Sequence, residues 1–473
     1  MSIRIIALYI VITAIAAYAW KDWFKSLCGL ILLMAFMGHE DMPKNIAGIQ
    51  GLNLWNVLFF NIFLVYLLSR RPQGLRWDMP GFISVLLVLY LVVVLVGVLR
   101  ALFDRRNIPE IPVVDIVSDQ LINTLKWVFP ALLLYDGCRT RQQARLAVVT
   151  LVLLQFLIAG QIVRKMPLSM VFGSMDEQYR RNRTKLISEL GFSADDMSTI
   201  LAGTSWGMVA ALALVRKRKH KMMLLPAIGL VVLAQAMTGG RAGYAAWGAT
   251  GLLMCAMKWR KYLLLAPVVV VLLPFVFPTA AERMMHGFGE KDASGQTIRD
   301  DNKITSGRTL IWPFVIDEIG KSPLIGHGRL AMKRTGLERK MMTDLGEPFP
   351  HPHCMYLETL LDNGILGSIP IWLFWGTVLV LSGRLFRTED PLFSAVGGLT
   401  FALLLTQLIA GIGAQHFYPR ESTVALWVAM FLTLRVYFDK ARKQVGMLPA
   451  ETQVALPVTP QRPALTYCHE EFL

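Results

Sequence analysis

The sequence predicts an all-α, polytopic integral membrane protein of about twelve or thirteen transmembrane helices, with one large hydrophilic connection on the outer face. Three observations carry this. Of 473 residues, 54% are hydrophobic and only 17% charged, too little charge to coat a water-soluble chain of this length. Long runs such as 82–99, 146–163 and 262–277 are almost free of charge, and a helix needs about 20 apolar residues to cross hydrocarbon. These runs are continuously apolar and do not alternate, which selects helices over barrel strands.

In chain order the candidate spans are 4–20, 24–37, 52–68, 81–99, 120–135, 146–163, 198–215, 222–237, 241–257, 262–278, 364–382, 393–415 and 422–438. The first two are short and alternatively form a re-entrant pair or one tilted span. The N-terminal segment lacks a small-residue cleavage site, so it reads as a retained span. Orientation follows from the connections. Arg70, Arg71 and Arg76 fill one, and Arg139, Arg141 and Arg145 the next but one. Arg216 to Lys221, then Lys258, Arg260 and Lys261, then Arg384 and Arg387 continue the alternation. Basic short loops mark the cytoplasmic side. The intervening connections, at Glu40 and Asp41 and over 100–120, 164–197, 279–355 and 416–421, mix acids and bases and are expected to face the periplasm.

The organisation expected is therefore transmembrane helices with a medium outer loop at 164–197 over residues 1–278, and a large periplasmic loop with short helices at 279–355. C-terminal spans follow at 356–440, and a Pro-rich, disordered cytoplasmic tail at 441–473. Within the large loop, 309–319 reads as an amphipathic interfacial helix, with Pro313 near its first turn. The net charge of +15 sits largely in inter-span loops, so no nucleic-acid partner is expected. Cys28, Cys138, Cys255, Cys354 and Cys468 are scattered without a CxxC pair, which supports neither a disulfide framework nor a zinc site.

Four outer-side stretches are polar where neither lipid nor loop requires it. In Thr238-Gly239-Gly240-Arg241-Ala242-Gly243, Arg241 at the membrane surface suits phosphate oxygens or, alternatively, snorkels to headgroups. Ser306-Gly307-Arg308 precedes a helix and suits an anion, or is an ordinary helix start. Ser322-Pro323-Leu324-Ile325-Gly326-His327-Gly328 specifies a tight bend, mainly structural, with His327 a possible substrate contact. His351-Pro352-His353-Cys354-Met355-Tyr356-Leu357-Glu358 sets two histidines where a loop meets a span, and histidine is the usual base near neutral pH. Gly364 and Gly367 lie three apart, permitting close approach of a helix or lipid tail. A metal at the histidines would need a further ligand, for which only His416 offers itself. No metal and no cofactor are expected. The P-loop, dinucleotide-binding and Ser-elbow motifs are missing from the sequence. The pairs Asp195–Asp196 and Asp300–Asp301 resemble metal-binding acids but suit helix caps or solvated turns better.

In this order the stretches resemble the O-antigen ligase and O-antigen polymerase superfamily of bacterial membrane glycosyltransferases. The resemblance rests on Thr238-Gly239-Gly240-Arg241, then Gly307-Arg308-Thr309-Leu310-Ile311-Trp312, then Pro323 to Gly328, then His353-Cys354-Met355-Tyr356-Leu357 and Gly364-Ile365-Leu366-Gly367. It covers about 238–367. Cys354 replaces the usual Asn or Ser, and Gly240 stands where Ser is common. The resemblance implies a helical glycosyltransferase of the GT-C class in the bacterial inner membrane, using glycans on undecaprenyl pyrophosphate without nucleotide sugar or metal. It implies His353 as general base and Arg241 and Arg308 as pyrophosphate ligands. His351, His327, Tyr356, Glu358, Arg180, Arg181 and Arg183 are further possible substrate contacts. The expected acceptor is a lipid A core sugar, with polymerisation of lipid-linked repeat units or protein O-glycosylation as alternatives. A transporter or flippase of polyprenyl-linked glycans is the competitor from another class. It fits less well, because the span centres are nearly uncharged and the polar clusters lie at one face.

Overall fold

The computed structural model describes residues 3–38, 42–43, 45–46, 48, 51–173, 175, 177–286, 288, 290–291, 297–298, 305, 307–413 and 416–444. Among them the regular elements are helices, apart from one antiparallel ribbon pairing Glu290–Lys291 with Thr297–Ile298. The Asp300–Asp301 pair and the tail from 445 lie outside the described residues. The principal helices are α1 (Ile3–Ala19), α2 (Trp23–Leu33), α3 (Leu54–Arg70), α4 (Gly81–Phe103), α5 (Phe129–Gly137) and α6 (Arg141–Lys165). There follow α7 (Glu177–Leu190), α8 (Ala194–Ala211), α9 (Arg218–Thr238), α10 (Arg241–Met257), α11 (Ala266–Val276), α12 (Arg308–Lys321), α13 (Met355–Phe386), α14 (Pro391–Ala410) and α15 (Val424–Gln444). Several begin at side-chain caps that satisfy otherwise orphaned amides. Thr140 and Gln143 form a reciprocal capping box for α6, Ser193 caps α8, and Asp390 accepts from Leu392 and Phe393 at the start of α14.

Among the described residues seven helices are long and apolar enough to cross a membrane, or eight if the bent pair Arg260–Val276 and Pro278–Met285 is one span. The structure is thus a polytopic helical membrane protein. The count of full-length spans falls below the number of apolar runs for identifiable reasons. The segments Ile5–Ala19, Trp23–Phe36 and Leu54–Arg70 are shorter apolar helices, and α10 has 17 residues. The run at 120–135 breaks into a π turn (Ser118–Ile122), the short helix Asn123–Lys126 and α5, with Pro130 at the start of α5. The run at 262–278 turns through 103° before Pro278, which cannot continue a helix's hydrogen bonding.

Helix α14 is the most enclosed span, 83% of its apolar window being buried, and its main partners are α8 and α13. By contrast α4 and α11 leave rows of Val and Leu exposed, such as Val85, Val88 and Val92, or Val268 to Leu272. Such continuous apolar belts suit contact with lipid. An aromatic stack ties the spans to the outer connections: the Tyr90, Phe374 and Trp427 rings lie 5.7–6.4 Å apart, and the Tyr90 hydroxyl donates to the Phe417 carbonyl at 2.7 Å. At the opposite end of the bundle the basic connections meet carboxylates: Arg70 and Arg139 on Asp136, Arg139 and Arg435 on Asp78, and Arg141 on Asp390.

The segment 309–319 is helical within α12, and Pro313 lies in its second turn, within the helix. Ile311 and Val315 face a small core of their own with Met332, Leu337, Met341 and Leu361, so that face packs on protein. The pair Gly364 and Gly367 does not sit on a regular helical face. Gly364 has φ 62° and ψ −171° and breaks α13. There the backbone of Pro323 and Leu324 accepts from the Ile365 and Leu366 amides at 2.9 and 3.0 Å. A side chain at Gly364 would collide with the Leu324 backbone, so the close approach there is by the loop 323–328, whereas Gly367 lies against Val93 of the neighbouring helix α4.

Candidate active site

The histidine loop enters α13 through a sharp turn. His353 has a left-handed backbone, φ 52°, which costs a non-glycine residue of this shape free energy and persists only where surroundings impose it. The surroundings are visible. Trp312 Nε1 on α12 donates to the Pro352 carbonyl at 3.1 Å, and the Met355 amide donates to the Gly411 carbonyl at 2.9 Å. The result is a histidine cluster. The His351 and His353 rings meet edge to face with centroids 4.0 Å apart, and His416 stands 5.8 Å from His351. Burial, then the charge of Arg308, pushes His353 down to about 4. Burial, then the neighbouring His353, does the same for His351. Both rings are neutral at pH 7. His416 Nδ1 pairs with the Glu358 carboxylate on the first turn of α13.

A cluster of arginines reaches this loop through Arg308. Arg308, at the start of α12, donates through Nε to the Gly413 carbonyl at 2.8 Å and through Nη1 to the Thr305 carbonyl at 2.6 Å. These are backbone partners; among the described residues no carboxylate lies within ion-pair distance of it, Asp195 acts on it from farther off, and burial lowers its affinity for its proton. Arg241, at the start of α10, reaches the His286 carbonyl at 3.3 Å and lies within electrostatic reach of Arg183, Arg283 and Arg308. The glycines before Arg241 bring the strands of this cluster together: Arg183 Nε donates to the Thr238 carbonyl at 3.3 Å and Arg283 Nε to the Gly239 carbonyl at 3.4 Å. Arg180, Arg183 and Arg283 line a cavity of about 290 Å³ with Tyr179 and His286. Asp195 offsets part of this charge, 3.6 Å from Arg183. Arg181 instead pairs with Glu177 on the exposed side of α7.

The remaining sequence candidates divide. His327 is turned to the Glu318 carbonyl at 3.0 Å and lines a separate polar cavity with Asp104 and Arg334; the structure does not bring it to the histidine cluster. The Tyr356 hydroxyl donates to the Leu408 carbonyl at 2.8 Å, and its ring packs on Phe417, a tie between α13 and α14. His351 and Glu358 do face one cavity of about 360 Å³. Beside it lies a fully buried network that the sequence reading missed: Arg329 donates to Asp362 at 2.9 Å and lies over the Tyr418 ring, 3.6 Å from its centroid, while the Tyr418 hydroxyl also donates to Asp362 at 3.0 Å. Arg283 was missed as well. It follows an apolar run in no motif, and only its position at the mouth of the large connection marks it. Among the described residues no group of three or more His, Cys, Asp and Glu side chains has the geometry to hold a metal ion.

Comparison with known proteins bears on the same stretch. A family model described as O-antigen ligase matches residues 226–372, from α9 to the middle of α13. A Rickettsia conorii protein named as a candidate polysaccharide ligase is 23% identical over 256 residues, 52% of this chain and 59% of the relative. A Rickettsia felis protein of the same name is 25% identical over 185 residues, 38% of this chain and 44% of the relative. The matched regions thus span about half the length of these curated relatives.

Proposed function

We propose that this chain, whose residues 226–372 match the O-antigen ligase family model, transfers a glycan from undecaprenyl pyrophosphate to an acceptor hydroxyl at the outer face of the bacterial inner membrane. The observation that carries the reading is the cluster of Arg183, Arg241 and Arg283, which meets Arg308, the arginine whose charge acts on His353. The acceptor oxygen attacks the anomeric carbon, and its proton passes to the neutral imidazole of His353. The anomeric C–O bond breaks, and the pyrophosphate departs with the electron pair. Arginines held by backbone carbonyls are preorganised donors for the charge that develops on it, and such preorganisation is a leading source of rate enhancement. The low pKa of His353 makes it a modest base but one that is unprotonated and ready at neutral pH. The outer-face assignment is supported by the basic connections meeting at the opposite end of the helices.

The acceptor favoured is a sugar of the lipid A core, after the ligase description of the matched family. The test is reconstitution of the purified chain in liposomes with an undecaprenyl pyrophosphate-linked glycan and lipid A core. Glycan-bearing lipid A is the expected product. Elongation of one lipid-linked unit by another would make the chain a polymerase, and a folded chain yielding neither product sinks the transferase reading.

A further inference from the structure

The cavity of about 360 Å³ on the far side of His351 has no part in binding the donor as described above. It lies between the broken segment 118–127, the loop 350–352 and the connection 418–421. Its size falls in the range of about 300–1,000 Å³ typical of small-molecule sites. Two of its charged groups are already satisfied within the protein. Asp362 is held by Arg329 and Tyr418, and Glu358 by His416. Two other polar groups are not, Glu421 and His351. Arg420 also borders the cavity; it is exposed, and among the described residues no carboxylate lies within ion-pair distance of its guanidinium. Glu421 Oε1 and His351 Nδ1 are buried with no hydrogen-bond partner. Buried polar groups are seldom left so in a finished structure, and each such orphan calls for an explanation.

The mixture of these groups selects the ligand. An anion would be met by donors alone. Here a guanidinium, which only donates, stands beside a carboxylate oxygen, which accepts, and an imidazole nitrogen. Asn123 and Gln120 add amides, and Trp127 adds an apolar wall of the kind that an amphipathic ring packs against. A hydroxyl both donates and accepts, so a ring bearing several hydroxyls matches a lining of both kinds. We propose that this cavity is the acceptor subsite and takes a neutral sugar ring, oriented by Arg420 and Glu421 so that one hydroxyl points to the His351–His353 pair. The proposal rests on the transferase reading for the word acceptor, but the binding of a sugar here does not depend on it.

The test separates the two. The full chain in nanodiscs is titrated with neutral methyl glycosides, with glucose 6-phosphate, with glucuronate and with inorganic phosphate, and binding is read by saturation-transfer NMR without any donor present. At least one neutral glycoside is expected to saturate, and Arg420→Ala and Glu421→Gln are expected to weaken it at least about tenfold, as losing one of these hydrogen bonds to a charged group implies. Asn123→Leu, which leaves both charged groups in place, keeps the test usable if those variants fold poorly, and it is expected to weaken binding too. Arg283→Ala, in the arginine cluster, is expected to bind the glycoside as the wild type does. No saturable neutral glycoside, or binding only of the phosphorylated or carboxylated sugars, overturns the proposal. So does glycoside binding unchanged in every folded cavity variant. Sugar binding in a chain that transfers nothing would sink the transferase reading alone.

Discussion

At the scale of single residues, His353 carries two separable properties, its ring and its backbone. A general base contributes about 10²–10⁴-fold in rate, so His353→Ala is expected to lose transfer by that order with donor binding retained. His353→Gly separates ring from backbone. Its φ of 52° is free for glycine, so this variant should be at least as thermostable as the wild type and still inactive; an active His353→Gly chain would remove the ring from the mechanism. The pH dependence follows from the low pKa values. His351 and His353 titrate near 4 when folded, against about 6.5 unfolded. Below pH 6.5 the unfolded chain therefore binds more protons, and stability falls as pH drops from 6.5 towards 4. The midpoint of thermal unfolding, followed across that window, is expected to decline, while His351→Phe should flatten the decline. For the arginines, lysine keeps charge but loses the planar fork. Arg241→Lys is expected to be impaired and Arg241→Ala more so, and two folded alanine variants at Arg241 and Arg308 with full transfer would end their assignment to pyrophosphate.

At the scale of elements, the break in α13 is what holds the loop 322–328 against the site. Gly364 adopts a conformation open essentially to glycine alone, and the Leu324 backbone fills the space a Cβ would need. Gly364→Ala therefore pays strain of about 1–3 kcal/mol and must also push the loop away. Because the Gly328 amide donates to the Asp362 carbonyl at 2.6 Å and Arg329 donates to the Asp362 side chain, that displacement reaches the buried network. Reduced thermal stability together with reduced transfer is expected. A Gly367→Ala control, whose Cβ would meet Asn363 and Val93 side chains rather than backbone, should be milder; equal effects would show that the loop contact is not what matters. The helix α12 acts as a strut in the same assembly, since one residue of it caps the loop 411–413 through Arg308 and another pins Pro352 through Trp312.

At the scale of the whole molecule, the alternation of basic connections predicts sidedness: reporters fused at 216–221 should read cytoplasmic, and those within 164–197 and 279–355 periplasmic. A cytoplasmic signal from the large connection would put the arginine and histidine cluster on the wrong side for a periplasmic transferase. The sequence alone determined the helical membrane architecture and the stretches at 238–243, 306–308 and 351–358, because hydropathy, loop charge and short motifs are local properties read from neighbouring residues. It also marked Arg241, Arg308 and His353, each beside a glycine or proline that constrains its own backbone. Only the tertiary structure decided that Arg183 and Arg283 join Arg241, that His416 answers Glu358, and that His327 turns away to the Glu318 carbonyl. It likewise decided that the run at 120–135 breaks to wall a cavity instead of crossing as one helix. These outcomes depend on distances between residues far apart in the chain, set by how helices pack and where connections fold back, and no window of local sequence contains that information.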